Sequence, residues 1–370
     1  MAEYFRYEAY TWTAKFGWRI VKSFILWLWW WNNNNYIYDT KDFEERFRQF
    51  TGAGYCLGVS SGTAALHLAL RAIGIKPGDK VATVSHTFRA TAAAIKYVGA
   101  EPVYVDIEQL SYCMAPYDLG NTLENNPDIK AVIYVHLYGN TGMVDVIADM
   151  CKKKGVKLIE DCSQAHGTRR MNKHVGTFGD IGTFSFFPGK NLGAFGDAGA
   201  IITNSKKIYN KSLRLRNHGA KLKYDHKFSG RNSRLDTIQA AVLNIKLKNY
   251  NSVVTKRNKL ADLYFKNLSK IKNIKLYQLE KKNVSCFHQF VIRVSTKNRE
   301  QLRKFLQRKK IQTMIHYPYM LNELNFFPKT KNLTKSARLG KKIISLPISE
   351  EHSEKEIYFV IKKIKEFFKY

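Results

Sequence analysis

The stretch 156–204 limits what this chain can fold into more than any other. It reads VKLIEDCSQAHGTRRMNKHVGTFGDIGTFSFFPGKNLGAFGDAGAIITN and holds three short apolar runs, VKLIED, IGTFSFF and GAIITN. Runs of this kind, bounded by Gly and Pro, fit buried strands. The first run ends on a carboxylate, Asp161, and Lys190 lies just past the second, 29 residues on. In open α/β sheets ligands gather outside such strand ends, so the two side chains can converge on one small molecule. Pyridoxal 5′-phosphate needs such a pair. It takes an amine to condense with its aldehyde and an acid to keep its ring nitrogen protonated, so that the ring draws electrons. Spacing alone leaves a second reading open: a solvated surface lysine, and an Asp that caps or turns a strand end.

Strand–helix alternation extends on both sides. DTKDFEERFRQFTG sets Phe43, Phe47 and Phe50 at helical spacing and closes on Gly52, which predicts an amphipathic helix with a core-facing aromatic stripe. YCLGVSS then reads as a strand and GTAALHLALRAIGI as a helix with Gly62-Thr63 at its start. Free N–H groups and the helix dipole make such a start a phosphate site, and an ordinary Ser/Thr cap fits the same pattern. PGDKVATVSHTFRATAAAIKYVGAEPVYVDI predicts strand, helix, strand. AVIYVHLYGN is a further strand, whose terminal His136 and Tyr138 either line a pocket or shape the turn, and VDVIADMCKKKG is a helix closing on Gly155. Repeated alternation implies an α/β fold, a mostly parallel sheet with helices on both faces.

Beyond residue 247 the character changes. A charged helix, SVVTKRNKLADLYFKNLSKI, leads to a strand CFHQFVIRVS, a helix REQLRKFLQRKK, a strand IQTMIHYPY and a last helix EKEIYFVIKKIKEFF. We therefore expect an atypical segment over 1–35, a large domain over 36–247 and a smaller α+β domain over 248–370. The 370 residues suit that division.

Charge excludes little. The chain carries 61 Lys and Arg against 30 Asp and Glu, a net +31. A surplus of that size suits nucleic acid, a membrane surface or an anionic substrate. The basic residues are dispersed, however, and no zinc-ligand spacing or RNA-binding aromatic motif occurs. We expect a drift toward Lys and Asn, no nucleic-acid partner and no metal. Cys56, Cys113, Cys151, Cys162 and Cys286 show no CxxC pairing, which fits a reducing, cytoplasmic setting. In the first 35 residues, SFILWLWWW is followed by Asn32–Asn35. Nine residues do not span a bilayer, which takes about 20. A segment packed on the body or on a dimer partner, a peripheral membrane anchor and an irregular extension all fit.

EDCSQAHG, SFFPGKNLGAFGDAGAIITN, VHLYG and LRNHG occur in order and resemble the signatures of the DegT/DnrJ/EryC1/StrS family of sugar aminotransferases, from about Phe43 to the C-terminal end. The resemblance implies a fold-type I, pyridoxal-phosphate-dependent enzyme. It gives Lys190 and Asp161 the catalytic roles and assigns Gly62, Thr63 and Ser185 to the cofactor phosphate. Phe88 would lie against the pyridine ring and Gln164 beside its phenolic oxygen. His166, His316 and Tyr317 would lie near the sugar. Asn232 and Arg234, in Gly-x-Asn-Ser-Arg, match a segment that reaches across a homodimer to the partner's cofactor, so that each active site is shared. Without the resemblance, Phe88 reads equally well as core, Ser185 as an outward strand residue, and residues 213–247 as a loop and a packed helix. The resemblance further implies L-glutamate as amino donor and a nucleotide-diphosphate keto-sugar as acceptor. The His166 version of the Asp161 motif resembles members that aminate carbon 3 of 6-deoxy sugars; carbon 4 remains an alternative. Dehydratases of this kind carry histidine in place of the lysine, and a non-catalytic sensor would not need to keep Lys190, Asp161 and Gly62-Thr63 together. The aromatic segment 1–35 departs from the family, which usually brings a substrate-entry loop there.

Overall fold

A computed structural model describes residues 39–222, 225–226, 228–277, 280, 282–330 and 333–369. The readings of segment 1–35 fall outside the described residues. Helix α1 (Asp39–Thr51) leads into β1 (Tyr55–Val59), α2 (Gly62–Ile73), β2 (Lys80–Val84), α3 (Ala90–Tyr97), β3 (Glu101–Val105), α4 (Pro116–Asn125), β4 (Ile129–Val135), α5 (Val144–Lys154) and β5 (Lys157–Asp161). After a short hairpin come β6 (Ile181–Ser185), β7 (Gly199–Thr203), α6 (Lys206–Arg216) and α7 (Thr237–Leu247). The rest holds α8 (Tyr250–Leu268), β8 (Lys275–Leu276), β9 (Phe290–Arg293), α9 (Thr296–Arg308), α10 (Thr334–Gly340), β10 (Ile343–Leu346) and α11 (Glu354–Phe367).

Seven strands form the main sheet in the order β1-β7-β6-β5-β4-β2-β3. All neighbours pair in parallel except around β7, which runs antiparallel to both β1 and β6. The parallel strands are nearly all apolar because helices cover both faces. Register brings Asp161 beside Val135 of β4 and Thr183 of β6, so the carboxyl ends of three strands open onto one region. The aromatic stripe of α1 is core: Phe43 and Phe47 pack edge-on against Phe186, and Phe47 against Phe184, at centroid distances of 5.0–5.3 Å.

The smaller sheet is β8-β9-β10, antiparallel throughout. Its outer strand is Ile343–Leu346, where the hydrophobic pattern predicts IQTMIHYPY instead. That segment pairs with the sheet's backbone only at a bridge between Met314 and Ser345. Pro318 has no N–H to give a ladder, while His316 and Tyr317 line the cleft described below. One apolar cluster runs from Val132 and Tyr134 on the main sheet, through Leu260 and Tyr264 of α8, to Phe290 and Ile344 on the small sheet. We propose a domain division between α7 and α8, with α8 as the shared spine. No helix among the described residues is long and apolar enough to cross a membrane.

Candidate active site

Strand β5 ends in two adjacent carboxylates with opposite fates, because successive strand residues face opposite sides. Glu160 points into the protein. It accepts from the N–H groups of Gly176, Phe178 and Gly179, all at 2.7 Å, and lies 2.9 Å from His136 Nε2. Asp161 points to the cleft, where Thr91 Oγ1 donates to Oδ2 at 2.9 Å and Ser163 N–H to Oδ1 at 3.1 Å. The second fate of His136 and Tyr138 is the one observed: both are buried and shape the turn after β4. His136 Nδ1 meets Asn140 O at 3.0 Å, and the Tyr138 hydroxyl donates to His316 O.

The cleft has a volume of about 610 Å³ and opens where Asp161, Lys190 and the start of α2 meet. Lys190 sits in the turn after β6, its backbone N–H bonded to Phe187 O at 2.8 Å. Among the described residues its ammonium has no hydrogen-bond or ion-pair partner. Burial lowers its pKa, against the opposing pull of the Asp161 charge. The lysine is therefore poised toward the free amine, facing a carboxylate across one space.

Helix α2 begins at the cleft floor. Ser61 caps it by accepting from Ala64 N–H at 3.1 Å, and Gly74 closes it in the left-handed conformation, φ 96°. Gly62 is required by packing: a Cβ there would lie 2.6 Å from Ser185 Cβ. Gly62, Thr63 and Ser185 thus form one corner of the cleft, at a helix start, where N–H groups lack intrahelical partners. Phe88 lines the opposite wall and is 49% exposed, with its ring 5.8 Å from that of Tyr317. Gln164 is held between two partners: its Oε1 accepts from Tyr138 N–H at 2.7 Å and its Nε2 donates to the Tyr317 hydroxyl at 3.0 Å. His316 is oriented by Ser345 Oγ, 2.9 Å from Nδ1, and burial with the nearby Lys190 charge lowers its pKa to about 4.

Nine of the twelve expected residues share this cleft: Lys190, Asp161, Gly62, Thr63, Phe88, Gln164, Ser185, His316 and Tyr317. Three do not line it. His166 is fully buried beneath, its ring 5.4 Å from Phe186 and 5.7 Å from Phe184, and burial lowers its pKa to about 3. In this chain it supports the wall from behind. Asn232 and Arg234 lie on the exposed strip before α7, with Arg234 donating to Asn217 Oδ1 at 2.6 Å.

Among the lining residues that carry no expectation from sequence are Thr91, Arg257 and His288. Thr91 holds Asp161. Arg257, buried in α8, pairs with Glu350 at 2.9 Å and donates to Phe287 O at 2.9 Å. His288 lies 2.9 Å from Asn191 Oδ1. A signal existed for Arg257: it falls on the apolar face of α8 with Val254, Leu260, Ala261 and Tyr264, where a guanidinium needs a reason. A larger hollow of about 780 Å³ adjoins the cleft and shares His288, Gln289, His316 and Ile348, but contains neither Lys190 nor Asp161.

The pieces present fit pyridoxal phosphate: a tight glycine corner at a helix start, an exposed ring, a held carboxylate and a desolvated lysine. The comparisons agree. The chain is 38% identical to dTDP-3-amino-3,6-dideoxy-alpha-D-galactopyranose transaminase of Aneurinibacillus thermoaerophilus, over 89% of this chain and 90% of that one. It superposes on the crystal structure of DesV of S. venezuelae with TM-score 0.86 and 33% identity, covering 90% of each. NtdA of Bacillus subtilis, solved with bound cofactor PMP, matches with TM-score 0.84 and 28% identity, covering 91% of this chain and 78% of that one. The model of the DegT/DnrJ/EryC1/StrS aminotransferase family matches residues 29–365. From a cleft built for pyridoxal phosphate and a family match across nearly the whole chain, we conclude that this protein is an aminotransferase of the DegT/DnrJ/EryC1/StrS family with pyridoxal 5′-phosphate as its cofactor.

Proposed function

We propose that the protein transfers the amino group of L-glutamate to the carbon-3 ketone of a nucleotide-linked 6-deoxy sugar. The observation that carries the chemistry is the desolvated Lys190 amine facing Asp161 across one cleft. The position of amination is supported by the 38%-identical transaminase, which is named for a 3-amino-3,6-dideoxy sugar.

When bound, the cofactor supplies an aldehyde that captures amines and a ring that takes up the electron pair left at the donor α-carbon. Lys190 Nζ is the group that holds the cofactor. Released by the incoming amine, Nζ would remove the donor α-proton, and burial, which lowers its pKa, favours the free amine that this needs. Asp161, fixed by Thr91 and Ser163, holds a proton on the ring nitrogen. The start of α2 and Ser185 would receive the phosphate, Phe88 would pack on the ring, and Gln164 would serve its phenolic oxygen. His316 and Tyr317 line the side from which the sugar enters. Asn232 and Arg234 are exposed and off their own cleft, a placement that suits reach into a partner's cleft in a homodimer. Amino donor and sugar use one cleft in turn, so the kinetics are ping-pong.

The test is an assay of the cofactor-loaded protein with L-glutamate and a panel of nucleotide-linked 3-keto and 4-keto sugars. Oxoglutarate release with a 3-keto sugar supports the proposal. Turnover of 4-keto sugars alone moves the site of amination, and no turnover of any keto-sugar by protein that still accepts nitrogen from glutamate sinks the sugar reading.

A further inference from the structure

His288 precedes β9 by two residues and lines both the cleft and the adjoining hollow. Its tautomer follows from a chain of partners. Asn191, next to Lys190, donates through Nδ2 to Cys286 O at 2.9 Å, which turns Asn191 Oδ1 toward His288 Nδ1, 2.9 Å away. An amide oxygen has no proton to give, so Nδ1 carries it. A neutral imidazole protonated at Nδ1 has its lone pair on Nε2. Burial first, then the positive charges of Lys190 and Arg257, hold the ring in that neutral form. Among the described residues no group bonds to Nε2, and that atom is not sealed in the core.

The cleft therefore offers one fixed acceptor beside the reactive lysine. Three ligand groups compete for it. A carboxylate has no proton to donate and is repelled by the lone pair. An ammonium is disfavoured by the Arg257 charge, which acts on the same ring. A neutral hydroxyl has a proton to give and no charge to oppose, and Gln289 beside His288 offers a further hydrogen-bonding group. Resting on the nucleotide-sugar reading above, we infer that His288 Nε2 accepts a hydrogen bond from a ring hydroxyl of the sugar. It is thus a specificity-determining residue for the acceptor substrate and takes no part in binding the amino donor.

The experiment uses the cofactor-loaded full chain and two variants. His288→Asn keeps an amide N–H near the Nδ1 position, toward Asn191, and loses Nε2. His288→Gln places an amide oxygen near the Nε2 position. Calorimetric affinities are measured for dTDP-glucose or UDP-glucose, whichever the wild type binds more tightly, and for its mono-deoxy analogues. The rate at which L-glutamate converts the cofactor is followed separately by absorbance. In the wild type, one mono-deoxy analogue binds about tenfold more weakly than the parent, the scale of one lost neutral hydrogen bond at a desolvated partner. In His288→Asn that difference vanishes, while the glutamate rate stays within about twofold of the wild type. His288→Gln retains most of the discrimination. Should every analogue lose equally in wild type and His288→Asn, or glutamate and sugar suffer together, the inference is overturned while the function proposed above stands. If neither nucleotide-sugar binds the wild type, the series is run on the sugar nucleotide that turns over in the assay above, and absence of any such sugar overturns both. If His288→Asn does not fold, His288→Gln and the analogue series in the wild type still decide: no single hydroxyl singled out by the wild type refutes the assignment.

Discussion

Replacing Gly62 by Ala tests whether the corner at the start of α2 is a built phosphate site. The new methyl carbon would lie 2.6 Å from Ser185 Cβ, 3.2 Å from its Cα and 3.2 Å from its Oγ. Neither side can yield easily. Ser185 is paired to Gly199 across β6 and β7. Gly199 itself packs against the Ser61 backbone, where a Cβ would come within 2.5 Å. Overpacking of this kind costs about 1–3 kcal/mol. The lower chain entropy of Ala returns about 0.4–1 kcal/mol, which leaves a net loss near 1–2 kcal/mol for the protein without cofactor. Relief of the clash shifts the helix start by several tenths of an ångström, and with it the N–H groups meant for the phosphate. We expect pyridoxal phosphate affinity to fall about tenfold, or about 1.4 kcal/mol. Urea unfolding of the cofactor-free protein and absorbance titration with pyridoxal phosphate measure the two losses. Gly74→Ala, at the other end of the same helix, is the control. Its Cβ meets nothing within 4 Å, but φ is +96°, so it loses stability and keeps its cofactor affinity. A Gly62→Ala protein with unchanged cofactor affinity would refute the assignment of this corner.

Borohydride treatment of the loaded protein should fix the cofactor on the peptide containing Lys190, and Lys190→Ala should leave no labelled peptide by mass spectrometry; label on another lysine contradicts the site. Glu160→Gln should destabilise the fold by about 3–5 kcal/mol in urea, because three backbone N–H groups and His136 lose a charged buried partner; a loss under 1 kcal/mol would mean Glu160 is not the anchor described. His166 is fully buried and its pKa is lowered from 6.5 to about 3, so the unfolded chain takes up its proton first. Stability from this group is therefore full above pH 6.5 and is lost as pH falls from 6.5 toward 3. Between pH 7 and pH 5, His166→Leu should lose about 2 kcal/mol less than wild type by urea midpoints; parallel losses would show that His166 does not titrate on unfolding.

Much of the architecture could be read from the chain because parallel strands under helices are continuous apolar runs, and β4, β5 and β6 are of that kind. The small sheet was harder. IQTMIHYPY has more β-branched and aromatic character than IISL, yet only the latter forms a ladder, because Pro318 interrupts the former and the cleft claims His316 and Tyr317. Within the site, Asp161, Lys190 and the Gly62 corner stand where strands end and a helix begins, which local pattern reveals. Thr91, Arg257 and His288 come from three distant segments, and no local pattern ties them together. The same limit applies to His166: its motif places it near the site, but only packing against Phe184 and Phe186 puts it beneath the wall.

What the amino-acid order settled alone was the alternation of buried strands and helices, and hence which residues end strands and begin helices. Tertiary structure decided which of those ends meet, since that depends on strand order: β6 inserts beside β5, and so brings Ser185 against Gly62 and Lys190 within the field of Asp161. It also decided protonation. Lys190 and His288 are ordinary bases in the chain; burial shifts Lys190 toward the free amine, against the pull of Asp161, and holds His288 neutral.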